Sequence, residues 1–184
     1  NTGYHLPSIV TGSEGTLGIV TRARVRLHPH LPVRTTAVLR FEDPAAAADA
    51  AESMRNSLPS VESVELFFGP GLELVCSVAN SKPPFAETAG GYLLVEAAGT
   101  EDQTGLLGDV VGALPGVADV AVAEDSSSRM RLWQYVEMHN PAIGSQGIPR
   151  KLDIAVPPGA LAEFTRRIEP AVHAVAPDAE VWLF

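Results

Sequence analysis

From residue 33 onward one order of elements comes three times: strand, helix, strand. Such recurrence constrains a fold strongly, because each unit has an apolar face that only its neighbours can cover. In the first unit, residues 35–41 read as a strand, 44–56 as an Ala-rich helix and 61–67 as a returning strand. Asp43 before Pro44 suits an N-cap: its carboxylate accepts an orphan amide, and proline sits where no donor is needed. In the second, 92–97 is an apolar strand, 103–114 a helix, and 117–123 a strand after the Pro115-Gly116 break. In the third, 152–156 is a strand, 158–174 a helix with Leu161, Phe164, Ile168 and Val172 on one stripe, and 180–184 a closing strand. The expected architecture is α+β: a ferredoxin-like antiparallel sheet built from three strand-helix-strand units, with helices on one face.

The segment 19–27 alternates apolar and polar residues and reads as one more strand, with Arg22, Arg24 and Arg26 toward solvent. His28-Pro29-His30-Leu31-Pro32 then removes two backbone donors and restricts the residues before each proline, so a domain boundary is expected there. Residues 1–32 would close one domain and 33–184 form a second, continuing past Phe184, while the opening at Asn1 looks like a cut. Between the units lie 69–85, with a helix over 72–78, and the polar run 124–131, leading into a helix over 130–138. Inserts of this kind are where a site would sit.

The balance of charge removes some function classes. A net charge of −9 repels a phosphate backbone, which argues against a nucleic-acid partner. The longest apolar runs stop well short of the ~20 residues a spanning helix needs, leaving only a peripheral membrane role open. A single cysteine, Cys76, excludes an internal disulfide; Leu74, Val75 and Val78 around it suggest a packed thiol. These features give a cytoplasmic expectation, with peripheral association with the inner membrane left open. Eleven Arg against two Lys, with abundant Ala, point by coding bias to a bacterial source.

Gly12-Ser13-Glu14-Gly15-Thr16-Leu17-Gly18-Ile19-Val20-Thr21 packs three glycines into seven residues directly before the first expected strand. Glycine allows positive φ and close approach of backbone to a ligand, and successive exposed amides can make an anion-binding concavity. A tight turn feeding a strand would need the same residues. The whole string, extended upstream through Tyr4-His5-Leu6-Pro7 and downstream through Arg24-Val25-Arg26-Leu27-His28-Pro29, resembles the flavin-contacting segment of the vanillyl-alcohol-oxidase (PCMH-type) FAD proteins. The similar branch contains D-lactate, glycolate and D-2-hydroxyglutarate dehydrogenases. The resemblance implies FAD as cofactor, touched largely through the backbone of Glu14, Gly15, Thr16, Leu17, Gly18, Ile19 and Val20.

The rest of the chain resembles that family's C-terminal substrate, or cap, domain. Leu132-Trp133 with Glu137 is similar to its Trp-x-x-Arg-Glu signature, and Lys151-Leu152-Asp153-Ile154-Ala155-Val156-Pro157 to its Lys-x-Asp-Val-x-Val-Pro segment. Trp133 is expected mainly to pack. Lys151 is either a solvated strand end or, as the resemblance implies, a cation that orients a substrate carboxylate. Val136 stands where many members have a carboxylate-gripping arginine, a loss worth ~2–4 kcal/mol of charge-assisted binding and an argument for a larger or less anionic substrate. Asn140 falls where some relatives contact substrate, although a helix C-cap would use the same amide. The family's His-x-Gly-Asp-Gly-Asn segment would follow residue 184, and none of the five histidines has metal-like spacing, so neither a metal nor a catalytic residue is assigned within this sequence.

The implied parent is an FAD-dependent oxidoreductase that oxidises a small 2-hydroxy acid by hydride transfer to flavin and passes electrons to an unidentified acceptor. These residues alone would be inactive, and a homodimer remains open. The rival from another class is a stand-alone α+β ligand-binding or dimerisation module, which would have no need of the glycine-dense segment.

Overall fold

A computed structural model describes residues 3–88 and 90–184, and the chain divides into two compact units, Asn1–His30 and Leu31–Phe184. In the first, a short helix α1 (Leu6–Val10) is followed by turns and then, from residue 18, by chain without regular secondary structure. Leu17, Ile19, Val20, Val25 and Leu27 are all exposed, because a segment of this length has no core of its own to bury them in.

The second unit is built on β1 (Val33–Phe41), α2 (Pro44–Ser57), β2 (Val61–Phe68), α3 (Gly69–Ala79), β3 (Gly91–Gly99), α4 (Thr104–Ala113) and β4 (Val117–Val122). The four strands pair antiparallel in the order β2-β3-β1-β4. That order follows from two interleaved units, β1–α2–β2 and β3–α4–β4, each inserting one strand between the two of the other. Asp43 caps α2 as its position suggests, its Oδ1 accepting from the amide of Ala45 at 2.9 Å. At the other end of β2, α3 runs to Asn80, whose φ of 48° is the left-handed turn that stops a helix.

Side chains alternate across a strand, so β1 and β3 serve two cores at once. Ala37, Leu39, Phe41, Leu93, Val95 and Ala97 meet Ala47, Ala50, Ala51 and Met54 of α2 and Leu107 and Val111 of α4. The alanine face lets α2 lie close to the sheet while keeping a high helix propensity. On the opposite face, Val38, Phe67, Tyr92 and Leu94 meet Leu72 of α3 together with Leu132 and Tyr135 of α5 (Ser126–Glu137). After α5 the chain forms α6 (His139–Gln146), a 3-10 turn at Pro158–Ala160 and α7 (Leu161–His173).

The α+β class, the antiparallel sheet and its ferredoxin-like order agree with the sequence reading, but its details need three corrections. Helices cover both faces, because the inserts carry apolar stripes of their own and the second face is too apolar at Val38, Phe67, Tyr92 and Leu94 to stay wet. The sheet holds two strand-helix-strand units instead of three: among the described residues, 152–156 and 180–184 join no ladder. Of the third unit only the helix forms, and Leu161 and Ala162 dock on Ala45 and Ala48 of α2 and on Leu66. Residues 19–27 likewise form no strand, since alternation supplies the face of a strand but only a neighbouring ladder makes one.

Candidate functional site

In the first unit the geometry concentrates on residues 12–18. Positive φ occurs at Gly12 (80°), Glu14 (48°), Gly15 (81°) and Gly18 (158°), and apart from its adjacent residues nothing lies within 4 Å of where a Cβ on any of the three glycines would stand. The turn is held from within: Thr16 donates through both its amide and its hydroxyl to the carbonyl of Ser13, at 2.9 and 2.6 Å. Glu14, Gly15, Thr16, Leu17, Gly18, Ile19 and Val20 are all exposed, so their main chain is open to approach. A backbone of this shape can offer amides to a diphosphate or to the polar edge of a ring system without moving a side chain aside. The residues present therefore fit a flavin nucleotide held mainly by main-chain atoms.

In the second unit the chemistry gathers around α5. Asp125 opens this helix with a reciprocal cap, accepting the amide of Ser128 at 2.6 Å while its own amide donates to Ser128 Oγ at 2.9 Å. That cap brings Arg129 and Trp133 over Glu96, which is 2 % exposed in the middle of β3. Glu96 Oε1 accepts from Arg34 Nη1 at 2.9 Å and Arg129 Nη2 at 2.7 Å. Its Oε2 accepts from Thr36 Oγ1 at 2.7 Å, Arg129 Nε at 2.7 Å and Trp133 Nε1 at 2.8 Å. Burial pushes this carboxyl up, but the donors of Arg129, Thr36 and Trp133 outweigh it and bring the pKa down to about 2. Arg34 also pairs with Glu62 on β2, so the network ties three strands to α5.

Where α5 gives way to α6, His139 is fully buried, and its Nδ1 lies 3.1 Å from the carbonyl of Val136. A carbonyl can only accept, so Nδ1 carries the proton. Nε2 is buried without a hydrogen-bond partner and faces Gly71, where a Cβ would stand 2.6 Å from it. Burial lowers the pKa of this imidazole, against the opposing hydrogen bonds to the backbone of Val136 and Tyr135. Phe67 meets the ring edge-on at 5.8 Å and Phe184 stacks on it at 4.9 Å.

The residues expected at a substrate site fall as follows. Trp133 packs half-buried beside the second core and also spends its indole N–H on Glu96. Val136 is half-buried against the same core. Asn140 is exposed and is the second residue of α6, at the start of a helix instead of the end that a C-cap role required. Lys151 is exposed in a stretch without regular secondary structure, and among the described residues neither it nor Asn140 has a side-chain hydrogen bond or ion pair. Cys76 is a half-buried thiol beside the second core, and burial raises its pKa against a hydrogen bond from Ser81. Sequence reasoning passed over both Glu96 and His139. For Glu96 a signal was present, since one carboxylate in the run Tyr92-Leu93-Leu94-Val95-Glu96-Ala97-Ala98 must find cations or unfold the strand. Nothing in the sequence marked His139 as buried.

The second unit is thus a four-stranded sheet of ferredoxin-like order with helices on both faces. Residues 31–183 match the family of FAD linked oxidases, C-terminal domain, and the chain belongs to that family. Its members are parts of flavoproteins that bind FAD. The chain is 28% identical over 188 residues to D-2-hydroxyglutarate dehydrogenase of Xanthomonas citri pv. viticola, covering 100% of this chain and 39% of that protein. It is 27% identical over 164 residues to the mitochondrial D-2-hydroxyglutarate dehydrogenase of Arabidopsis thaliana, covering 85% of this chain and 29% of that protein. To the mitochondrial D-lactate dehydrogenase (cytochrome) of Kluyveromyces lactis it is 27% identical over 141 residues, covering 73% of this chain and 23% of that protein. The chain thus spans well under half the length of these relatives.

Proposed function

We propose that this chain supplies the flavin-contacting turn and the substrate-side cap of an FAD-dependent oxidoreductase that oxidises a 2-hydroxy acid of the lactate, glycolate or 2-hydroxyglutarate kind. The observation that carries the reading is the placement of an exposed positive-φ glycine turn directly ahead of a domain of this family. When bound, FAD supplies the two-electron acceptor for oxidation of the alcohol carbon. Main-chain atoms of Glu14, Gly15, Thr16, Leu17, Gly18, Ile19 and Val20 hold the nucleotide. Lys151, a mobile point charge with three donors, orients the substrate carboxylate, and the amide of Asn140 hydrogen-bonds a substrate oxygen. Val136 offers no bidentate grip, so the acid is held by fewer charge-assisted bonds and a bulkier one is admitted.

Electrons leave to an acceptor that remains to be named, and the proposed location is cytoplasmic, at most peripheral to the inner membrane. Among the described residues no helix is long and apolar enough to cross a membrane. The test is to express the full-length protein, record its visible spectrum, and mix it anaerobically with glycolate and with the D- and L-forms of lactate and 2-hydroxyglutarate. A yellow protein whose flavin is bleached by one of these acids supports the reading. A colourless protein without affinity for FAD, or a flavin that none of the acids reduces, removes it.

A further inference from the structure

The α5–α6 junction holds a buried side chain that the proposed mechanism does not use. His139 is 0% exposed and is gripped on every side. Its Nδ1 donates to Val136 at the end of α5, its Nε2 lies over Gly71 of α3, Phe67 of β2 meets its edge, and Phe184 stacks on its face. Three helices and the sheet therefore meet at one imidazole.

Val136, three residues before it, and Asn140, directly after it, are positions that the family resemblance associates with substrate. We infer that His139 is a positioning residue: by tying the last carbonyl turn of α5 to the first turn of α6 and seating that joint on Gly71, it fixes the direction in which Asn140 leaves the protein. This inference rests on the proposed reading of Asn140 as a substrate contact. The geometry explains why histidine stands here and not a plain apolar residue. A leucine would fill similar space but would leave the carbonyl of Val136 without the side-chain donor that sets the turn. An asparagine would restore a donor at that spot while leaving part of the aromatic cage empty. The ring packs so close to Gly71 that a Cβ there would stand 2.6 Å from Nε2 and 2.9 Å from Cδ2, which is why this position carries glycine.

The experiment uses the full-length, FAD-loaded enzyme with D-2-hydroxyglutarate and D-lactate as probes. His139→Leu is expected to raise KM about tenfold with kcat changed by no more than about twofold, the loss corresponding to one substrate hydrogen bond. His139→Asn is expected to recover most of that KM while being the less stable of the two on thermal unfolding. A residue that serves packing alone would give the reverse pairing, with the better-packed leucine variant closer to the parent in both measurements. KM values for His139→Leu within about twofold of the parent, or an asparagine variant no better than leucine, overturn the inference. Should His139→Leu not fold, the asparagine variant alone decides, and a tenfold KM rise in it counts against the idea. Asn140→Ala separates the two layers: if it leaves KM unchanged, the reading of Asn140 is wrong. If it raises KM while His139→Leu does not, only the positioning role fails.

Discussion

Replacing Glu96 by alanine removes the acceptor on which Arg34, Thr36, Arg129 and Trp133 converge. A carboxyl brought from 4.5 to about 2 contributes roughly 3 kcal/mol to folding, at about 1.36 kcal/mol per pKa unit. Truncation adds the cost of leaving guanidinium and indole donors unpaired beside a core, so the expected loss is ~3–5 kcal/mol. That is a large share of the ~5–15 kcal/mol that holds a domain folded. Because the folded pKa lies below the unfolded one, the contribution is complete above the unfolded value and drains away as pH falls toward 2. Urea unfolding of parent and Glu96→Ala should therefore show the full gap at neutral pH and a gap smaller by roughly 2 kcal/mol near pH 3. Glu96→Gln, which keeps the shape and loses the charge, should fall between. A neutral-pH gap below about 1 kcal/mol, or one that does not shrink in acid, would refute the account of Glu96 as the electrostatic tie between sheet and α5.

Three further outcomes follow from packing and burial. Gly71→Ala should destabilise by ~1–3 kcal/mol in thermal unfolding, because its methyl would stand 2.6 Å from Nε2 of the fully buried His139 ring. Met54→Ala, at a fully buried position in the core between α2 and the sheet, should cost ~2–5 kcal/mol in urea. Cys76 should react with iodoacetamide at neutral pH more slowly in the folded chain than in the unfolded one, since burial suppresses its thiolate; equal rates would contradict the packed-thiol assignment.

Much of the fold could be read before any coordinates because its first two units obey local rules. The strands of β1 to β4 and the helices α2 and α4 lie within a few residues of where periodicity, Pro115-Gly116 and Asp43-Pro44 put them. Those signals are intrinsic to short stretches, and the core reinforces each of them. The third unit failed for the opposite reason. Residues 152–156 have a strand's composition, yet Leu152 is 74% exposed and Ile154 49%, because a strand is a relation between two segments and composition reports on only one. The helices expected over 72–78 and 130–138, in and after the inserts 69–85 and 124–131, both form, but the sequence did not show them as a second layer covering the other face of the sheet, and α5 starts a turn earlier than expected. The cap at Asp125-Ser126-Ser127-Ser128 was there to mark the start of α5.

The site was legible in unequal parts. Three glycines in seven residues announced a backbone of unusual conformation, and positive φ is found at each of them. Burial of a lone polar residue leaves less trace: Glu96 stood out only as a charge in an apolar run, and His139 not at all, since a histidine's neighbours in sequence do not say what closes over it.

The same helix also shows why Val136 matters to the proposed chemistry. Arg129 and position 136 are seven residues apart on α5, about 10 Å along its axis, and Arg129 already spends its Nε and Nη2 on Glu96. It cannot stand in for an arginine at 136. On the proposed reading Lys151 then carries the substrate carboxylate nearly alone, and Lys151→Met in the full-length enzyme should raise KM for D-2-hydroxyglutarate by about a hundredfold, the equivalent of ~3 kcal/mol. Adding Val136→Arg to that variant should recover part of the loss, with its guanidinium reaching out over the half-buried core that Val136 now covers. A double-mutant cycle with no coupling between 136 and 151 would mean that the two positions do not face one ligand, and the carboxylate would have to be sought elsewhere.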